Sequence, residues 1–328
     1  MHDGITTADI DLPDACLLYG EDQMFEGQAT QLRPGNPRTR AKVIHCLGMQ
    51  LWLYAIVQPY RVTHALTQDA FDLAIAVQLE APALHNGVTC EAGACIELNP
   101  HQQVEQLVQP GLILEVVTDR CTAIDRGWSS GQGAVGRLHS QVRQRLNAVA
   151  SKVYAAPAPE TVAIDRASTP MECRLFRMVE NLLDAGGHAP TMDSEVELSR
   201  NHSRHIVTQA TGLLPDCELD DTISVPALAR LVNVSERTLY RAFSRHLGVS
   251  PYKYILCWRL HRLRRLLLSA PGDDFAVTTA ASHSGFNHLG EMGQHYRRAF
   301  GETPSETLFR SRQQRSLFGV QHAETLFQ

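Results

Sequence analysis

Two stretches near the C-terminus repeat one plan, and that repetition constrains this chain more than any other feature. Each is a short helix, a tight turn and a longer helix, and a third helix joins them. In TISVPALARLVNVSERTLYRAFSRHLGVSP (222–251), Pro226 suits a first helical turn, with Leu228, Ala229 and Val232 as the packing face. Asn233-Val234 makes the turn, because Asn tolerates a left-handed backbone. Ser235 then caps a second helix whose Leu239, Ala242, Phe243 and Leu247 form an inward stripe, and Gly248 ends it. Thr238 stands where a reciprocal capping box would carry Glu or Gln, so the cap is single.

Ser250-Pro251 opens a long helix to about Ser269, with Ile255, Leu256, Leu260, Leu263 and Leu267 inside and Arg259, Arg262, Arg264 and Arg265 mostly outside. The device then recurs. Val277–His283 reads as a short helix, Gly285-Phe286 as the turn, and Asn287–Phe300 as a longer helix with Met292, Tyr296 and Phe300 inward. A connecting helix of about 18 residues spans about 27 Å at ~1.5 Å per residue. Such a rod holds two heads near the ~34 Å repeat of adjacent major grooves in DNA.

Charge divides the same way. The chain carries a formal net charge of −5, yet residues 222–312 hold 13 Lys/Arg against 6 Asp/Glu, leaving 17 against 29 in the remainder. A basic C-terminal module on an acidic body is the asymmetry that a polyanion-binding domain needs.

The rest of the chain reads as a separate domain preceded by an arm. Residues 1–42 are polar with Pro and Gly punctuation, and from Val43 to about Thr118 short β-rich segments alternate with turn residues. Between Asp119 and Leu214 the period becomes helical, with candidates at Ala134–Tyr154, Met171–Ala185 and Asp193–Leu213. The expected fold is α+β in two domains: an N-terminal antiparallel β-barrel of cupin or jelly-roll type with helices, and an all-α C-terminal double helix-turn-helix. The expected division is an arm at 1–42, a regulatory barrel with dimerisation or linker helices at 43–214, a DNA-binding domain at 215–312 and a tail at 313–328. Apolar runs such as Leu51–Val57 fall far short of the ~20 residues of a membrane span, and the acidic start MHDGITTADIDLPD is unlike a secretion signal, so the expectation is a cytoplasmic protein with no membrane partner.

The C-terminal segment resembles the AraC/XylS family of bacterial regulators. The likeness is carried by ALARLVNVSERTLYRAFSRHLGVSP, by WRLHRLRRLL with its Arg259-Leu260, and by AASHSGF…HYRRAFGETPSETL. Within that family, HLG at 288–290 and PSETL at 304–308 are similar to regulators of the ethanolamine-operon type. The resemblance implies a sequence-specific transcriptional activator or repressor that sets two recognition helices into adjacent major grooves of double-stranded promoter DNA. It also implies a homodimer, with RNA polymerase and either a small-molecule effector or a protein as further partners. On the first recognition helix it offers Arg237, Tyr240 and Arg241 at base-facing positions, flanked by Ser235, Glu236 and Ser244. On the second, the outward set is His288, Leu289, Gly290, Glu291, Gln294 and His295, with Glu291 and Gln294 as base readers and His288 as a phosphate contact.

Rival chemistries find less footing. No HxH motif occurs, His45, His64, His85 and His101 are isolated, and His202 with His205 makes at most half a metal site. Neither a Gly-rich phosphate loop nor a nucleophile elbow is present, so no enzyme, cofactor or metal site is expected. The eight cysteines lack a CxxC pair; Cys121, beside Arg120 and near Arg126, is the nearest candidate for a reactive thiol in a sensor. For an effector in the barrel, the candidate lining is Trp52, Tyr54, His64 and Phe71.

Overall fold

The computed structural model describes residues 5–12, 25–46, 48–66, 70–98, 103–128, 135–157, 166–186, 201–214, 224–270 and 275–318. The chain divides into two compact units, Met1–Ala29 with Pro37–Glu197, and Thr30–Asn36 with Leu198–Gln328.

The N-terminal unit contains the strands β1 (Thr6–Leu12), β2 (Phe25–Gln31, its last two residues passing into the other unit), β3 (Thr39–Cys46), β4 (Met49–Ile56), β5 (Tyr60–Leu66), β6 (Ala70–Leu79), β7 (Ala83–His85), β8 (Val88–Cys90), β9 (Ala94–Leu98), β10 (Val104–Val108) and β11 (Gly111–Asp119). It continues through α1 (Arg120–Asp125), β12 (Val135–Arg137), α2 (Ser140–Ala155), β13 (Arg166–Ala167) and α3 (Pro170–Asp184). The strands form one sheet in the order β12-β9-β6-β11-β4-β3-β1-β13 and another in the order β2-β5-β10-β7-β8. Central strand β11 is buried on both faces, and its alternation sorts the core. Leu112, Leu114 and Val116 join Leu51, Leu53, Leu73 and Ile75 against Leu146 and Val149 of α2 and Leu175 and Val179 of α3. Ile113 and Val117 join Trp52, Tyr54 and Ala76 against Tyr60 and Val62 of the second sheet. Gly111 opens β11 where a Cβ would lie 2.0 Å from the Gln78 carbonyl oxygen, so only glycine lets the strands close next to the register shift at Leu112/Ile113.

The antiparallel strands and flanking helices agree with the expected fold, but among the described residues the strands make two facing sheets and no pairing closes them into a barrel. The expected arm at 1–42 is also different: β1 and β2 lie in it and β3 begins in it. Their charged residues hid them. Lys42, 1% exposed, pairs with Asp9 (2.5 Å), and Arg166 pairs with both Asp9 (3.2 Å) and Glu172 (2.6 Å), so polar-looking strands are neutralised across the sheet and against α3.

The C-terminal unit is helical: α4 (Asn201–Gly212), α5 (Val225–Leu231), α6 (Glu236–Leu247), α7 (Pro251–Leu268), α8 (Val277–His283), α9 (Leu289–Phe300) and α10 (Pro304–Phe318). Helix α4, expected among the linker helices of the first domain, packs on α5 and α6 instead, with Ile206, Val207 and Ala210 buried. Helix α10 runs past the expected start of the tail at 313. Along α7, Tyr254 meets Phe243 of α6 edge-on at 5.5 Å, while Leu260, Leu263 and Leu267 pack with Ala280 and Ala281 of α8 and Met292, Tyr296 and Phe300 of α9.

Candidate nucleic-acid interface

The first head is built from local signals that the sequence displays. Ser224 caps α5, with Pro226 in its first turn, and Asn233 takes φ +53 in the turn. The Thr238 N–H donates to Ser235 Oγ at 3.1 Å, and Gly248 closes α6 in the left-handed conformation at φ +69. Leu239, Ala242, Phe243 and Leu247 are buried, which leaves Ser235, Glu236, Arg237, Tyr240 (42% exposed), Arg241 and Ser244 on the solvent side. The expected reading residues of this helix therefore share one open face. Arg245, Tyr252 and Lys253 are exposed as well and were not among the expected contacts. Arg245 follows from the same helical spacing, whereas Tyr252 and Lys253 sit in the first turn of α7, whose pattern was read for packing.

The second head is built differently. Its longer helix starts at Leu289, after His288, whose side chain makes no capping hydrogen bond. His288, Leu289, Gly290, Glu291 and Gln294 are exposed and His295 is half-buried, so the expected set again lies together on the face opposite Met292, Tyr296 and Phe300. Arg297 and Arg298 are exposed on the last turn and are the two formal positive charges of this helix. Gly290 and Gly293 meet no atom within 4 Å of a built Cβ, so neither glycine is required by close packing.

Behind α9 lies a buried polar lock. Arg264, read from the sequence as outward, is only 2% exposed. Its Nη1 donates to Glu302 Oε1 (2.7 Å) and to the Tyr296 hydroxyl (3.4 Å), and its guanidinium stacks 4.6 Å from the Phe300 ring centre. Arg310 Nη2 donates to the same Glu302 oxygen at 2.8 Å and its Nη1 to the other. Thr307 Oγ1 donates to Glu302 (2.7 Å) and so accepts from the Tyr296 hydroxyl (2.9 Å). Burial alone would raise the Glu302 carboxyl, but Arg310, Thr307 and Arg264 hold it down to about 2. Burial chiefly pushes the Tyr296 hydroxyl up to about 12, so it stays protonated as a donor. Helices α7, α9 and α10 are thus tied through one residue, Glu302, just beyond the left-handed Gly301 that ends α9.

The expected effector residues separate. Trp52 and Tyr54 belong to the core between the two sheets, and His64 is 2% exposed on β5, in register with Val104. Phe71 packs in the other cluster, against the helices, because it alternates with Asp72 on β6. What the aromatic pattern missed is a carboxyl pair on the Tyr54 side. The Tyr54 hydroxyl donates to Glu115 Oε2 at 3.2 Å, and Asp72 is fully buried beside Glu115. Burial raises both, Glu115 to about 7 and Asp72 well above the usual range, the latter also by the charge of Glu115. Burial likewise lowers His64 to about 4, helped by His85. Cys121 is exposed on α1. No group of three or more His, Cys, Asp or Glu among the described residues could hold a metal ion; His101 lies outside those residues, as does the His202 side chain.

A family model described as a helix-turn-helix domain matches residues 228–310. The XylDLEGF operon transcriptional activator of Pseudomonas putida is 40% identical over 90 residues, which is 27% of this chain and 28% of that protein. A probable thc operon regulatory protein of Rhodococcus erythropolis is 32% identical over 170 residues, 51% of this chain and 48% of that protein. The chain thus spans just over a quarter of the first relative's length and about half of the second's, and neither name supports the finer likeness to ethanolamine-operon regulators. A solved transcriptional regulator with an AraC-type DNA-binding domain from Chromobacterium violaceum covers 34% of this chain and 96% of its own at 32% identity, with a TM-score of 0.30. The matched segment contains α6 to α9 whole, the helices that carry both exposed faces, and residues 228–310 are similar to a helix-turn-helix domain.

Proposed function

We propose that this chain is a sequence-specific transcriptional regulator that reads promoter DNA with α6 and α9 in adjacent major grooves. The observation that carries the reading is the capped α6. It buries one apolar stripe and turns Arg237, Tyr240, Arg241 and Ser244 together to solvent, on a module that holds 13 Lys/Arg against 6 Asp/Glu. Arginine bonds guanine O6 and N7 with two parallel N–H donors, whereas a phosphate contact carries no sequence information. On α9, Glu291 and Gln294 offer an acceptor and an amide to base edges, and His288 and Arg297 face the backbone. Selection of bound duplexes from a random library by the full chain tests this. The expected result is a site with two conserved patches about one helical turn apart, and recovery of no sequence preference overturns it.

For the N-terminal unit we propose an effector site on the Tyr54 side of the larger sheet, made by Trp52, Tyr54 and His64 with Glu115 and Asp72. Phe71, on the opposite face, has no part in it. The observation favouring this is the expense of the carboxyl pair: two acids buried between sheets are poor core filler. A thermal-shift screen against small metabolites is the test, since a molecule that binds the folded chain stabilises it in proportion to its saturation. Absence of any shift at saturating concentrations removes the effector reading.

A further inference from the structure

Seven residues from far upstream, Thr30–Asn36, belong to the C-terminal unit and sit on the second head. Gln31 and Leu32 are buried there. The Gln31 backbone N–H donates to His261 Nε2 on α7 at 3.0 Å, and the side-chain amide donates to the Ala299 carbonyl of α9 at 3.2 Å. The Gly35 N–H donates to the same Ala299 carbonyl at 2.9 Å. Gln31 Nε2 also lies within hydrogen-bonding reach of the carbonyls of Arg33 and Gly35 (3.0 Å), its two N–H bonds shared among the three carbonyls, which folds the strap into a tight loop. Gly35, at φ +150, takes a conformation that side chains disfavour. A carbonyl in the last turn of a helix has no partner within that helix, and here both donors come from the strap. The acceptor ring, His261, is buried, and burial first, then the charges of Arg265 and Arg264, hold its pKa well below the usual value, so its Nε2 accepts the Gln31 N–H as a neutral ring nitrogen. The same ring meets Phe300 edge-on at 5.1 Å.

We infer that Gln31 is a positioning residue for DNA reading, and that the strap 30–36 completes the second head by capping the C-terminal end of α9. This inference rests on the DNA-reading role proposed above. Helix α9 lacks a side-chain cap at its start and contains Gly290 and Gly293, each of which weakens a helix relative to Ala. A helix with so little local support takes its orientation from what holds its ends. The lock through Glu302 grips the inner side of that end, and the strap grips the Ala299 carbonyl in its last turn. Because the strap is continuous in sequence with β2 and β3, the geometry of α9 depends on residues almost 260 positions before it in the chain.

The test uses the full chain and its selected DNA site. Gln31→Met keeps the volume and removes both side-chain donors, and Gln31→Ala serves as a second variant. Affinity is measured for the intact site and for sites with one or the other conserved patch scrambled. Loss of one buried hydrogen bond changes such an equilibrium about three- to tenfold, so the preference for the α9 patch should drop by about that factor while preference for the α6 patch stays within twofold. Amide exchange across Glu291–Phe300 should quicken in the variants with α6 unaffected, a readout that needs no DNA. Equal losses at both patches mean that Gln31 serves general stability, and unchanged α9 preference with unchanged exchange means that the strap is idle; either overturns the inference. If the unaltered chain selects no DNA, the DNA-reading role falls, and positioning of a reading helix falls with it; quickened exchange would then leave only a structural cap.

Discussion

The two heads share a plan and differ in what holds them. Both α6 and α9 end at a left-handed glycine and bury an apolar stripe, but α6 also begins at a serine cap and packs against α4, α5 and α7. Helix α9 begins without a side-chain cap and carries two glycines, yet a buried arginine, a carboxylate and a strap from another part of the chain converge on its far end. The lesson is that local and tertiary support substitute for each other. Where propensity and capping suffice, packing can be plain; where the helix is weak, the fold supplies polar anchors, and those anchors become points of failure.

The largest expected effect comes from breaking the lock. Glu302→Ala leaves Arg264 buried without its counterion, and such losses run to about 3–5 kcal/mol. Urea denaturation of the full chain should show it, with faster exchange in α9 than in α6. Acid should act through the same carboxyl. Glu302 is depressed in the folded state to about 2, so its contribution is complete above the unfolded value near ~4.3 and is lost as pH falls from there through about 2. Spectroscopic probes placed on the two heads should therefore report α9 loosening at higher pH than α6. Simultaneous loss at the two heads would show that they unfold as one piece and that the lock has no local role.

Next in size is readout. Arg241→Ala should cost about 1–3 kcal/mol on the selected site and much less on random duplex. Equal losses on both would demote Arg241 to a backbone contact. Smaller still is the cap: Ser235→Ala should lower stability by about 1 kcal/mol, measured by thermal unfolding. The opposite sign is expected for Gly293→Ala, where a Cβ meets nothing within 4 Å. There the gain should be about 1 kcal/mol, and a loss would show that the glycine is needed for something other than helix formation.

How much of this was legible in the sequence follows the same contrast. The short helices, the turn at Asn233 and the caps at Ser235, Gly248 and Ser250-Pro251 are written in residues a few positions apart, and the structure has them where the spacing predicts. Arg264 reads as outward because its partner lies at Glu302, and a run of arginines on one helix looks like a solvated face until the carboxylate is in place. The strands β1 to β3 read as an arm for the same reason: Asp9 and Glu172 cancel Lys42 and Arg166 only once β1, β3, β13 and α3 are side by side. Residue type alone groups Phe71 with Trp52 and Tyr54, whereas alternation on β6 puts it with the helices. The strap was invisible for a stronger reason, since its residues are Pro- and Gly-punctuated loop in sequence and acquire their role only through the backbone carbonyl of Ala299.

The most direct test of the central claim is selection of duplex DNA by the full chain, followed by affinity measurements in which each conserved patch is scrambled in turn. Two patches about one helical turn apart are expected, with the stronger preference at the patch that Arg241→Ala abolishes. A single patch, or two patches both indifferent to Arg241→Ala, would contradict the account.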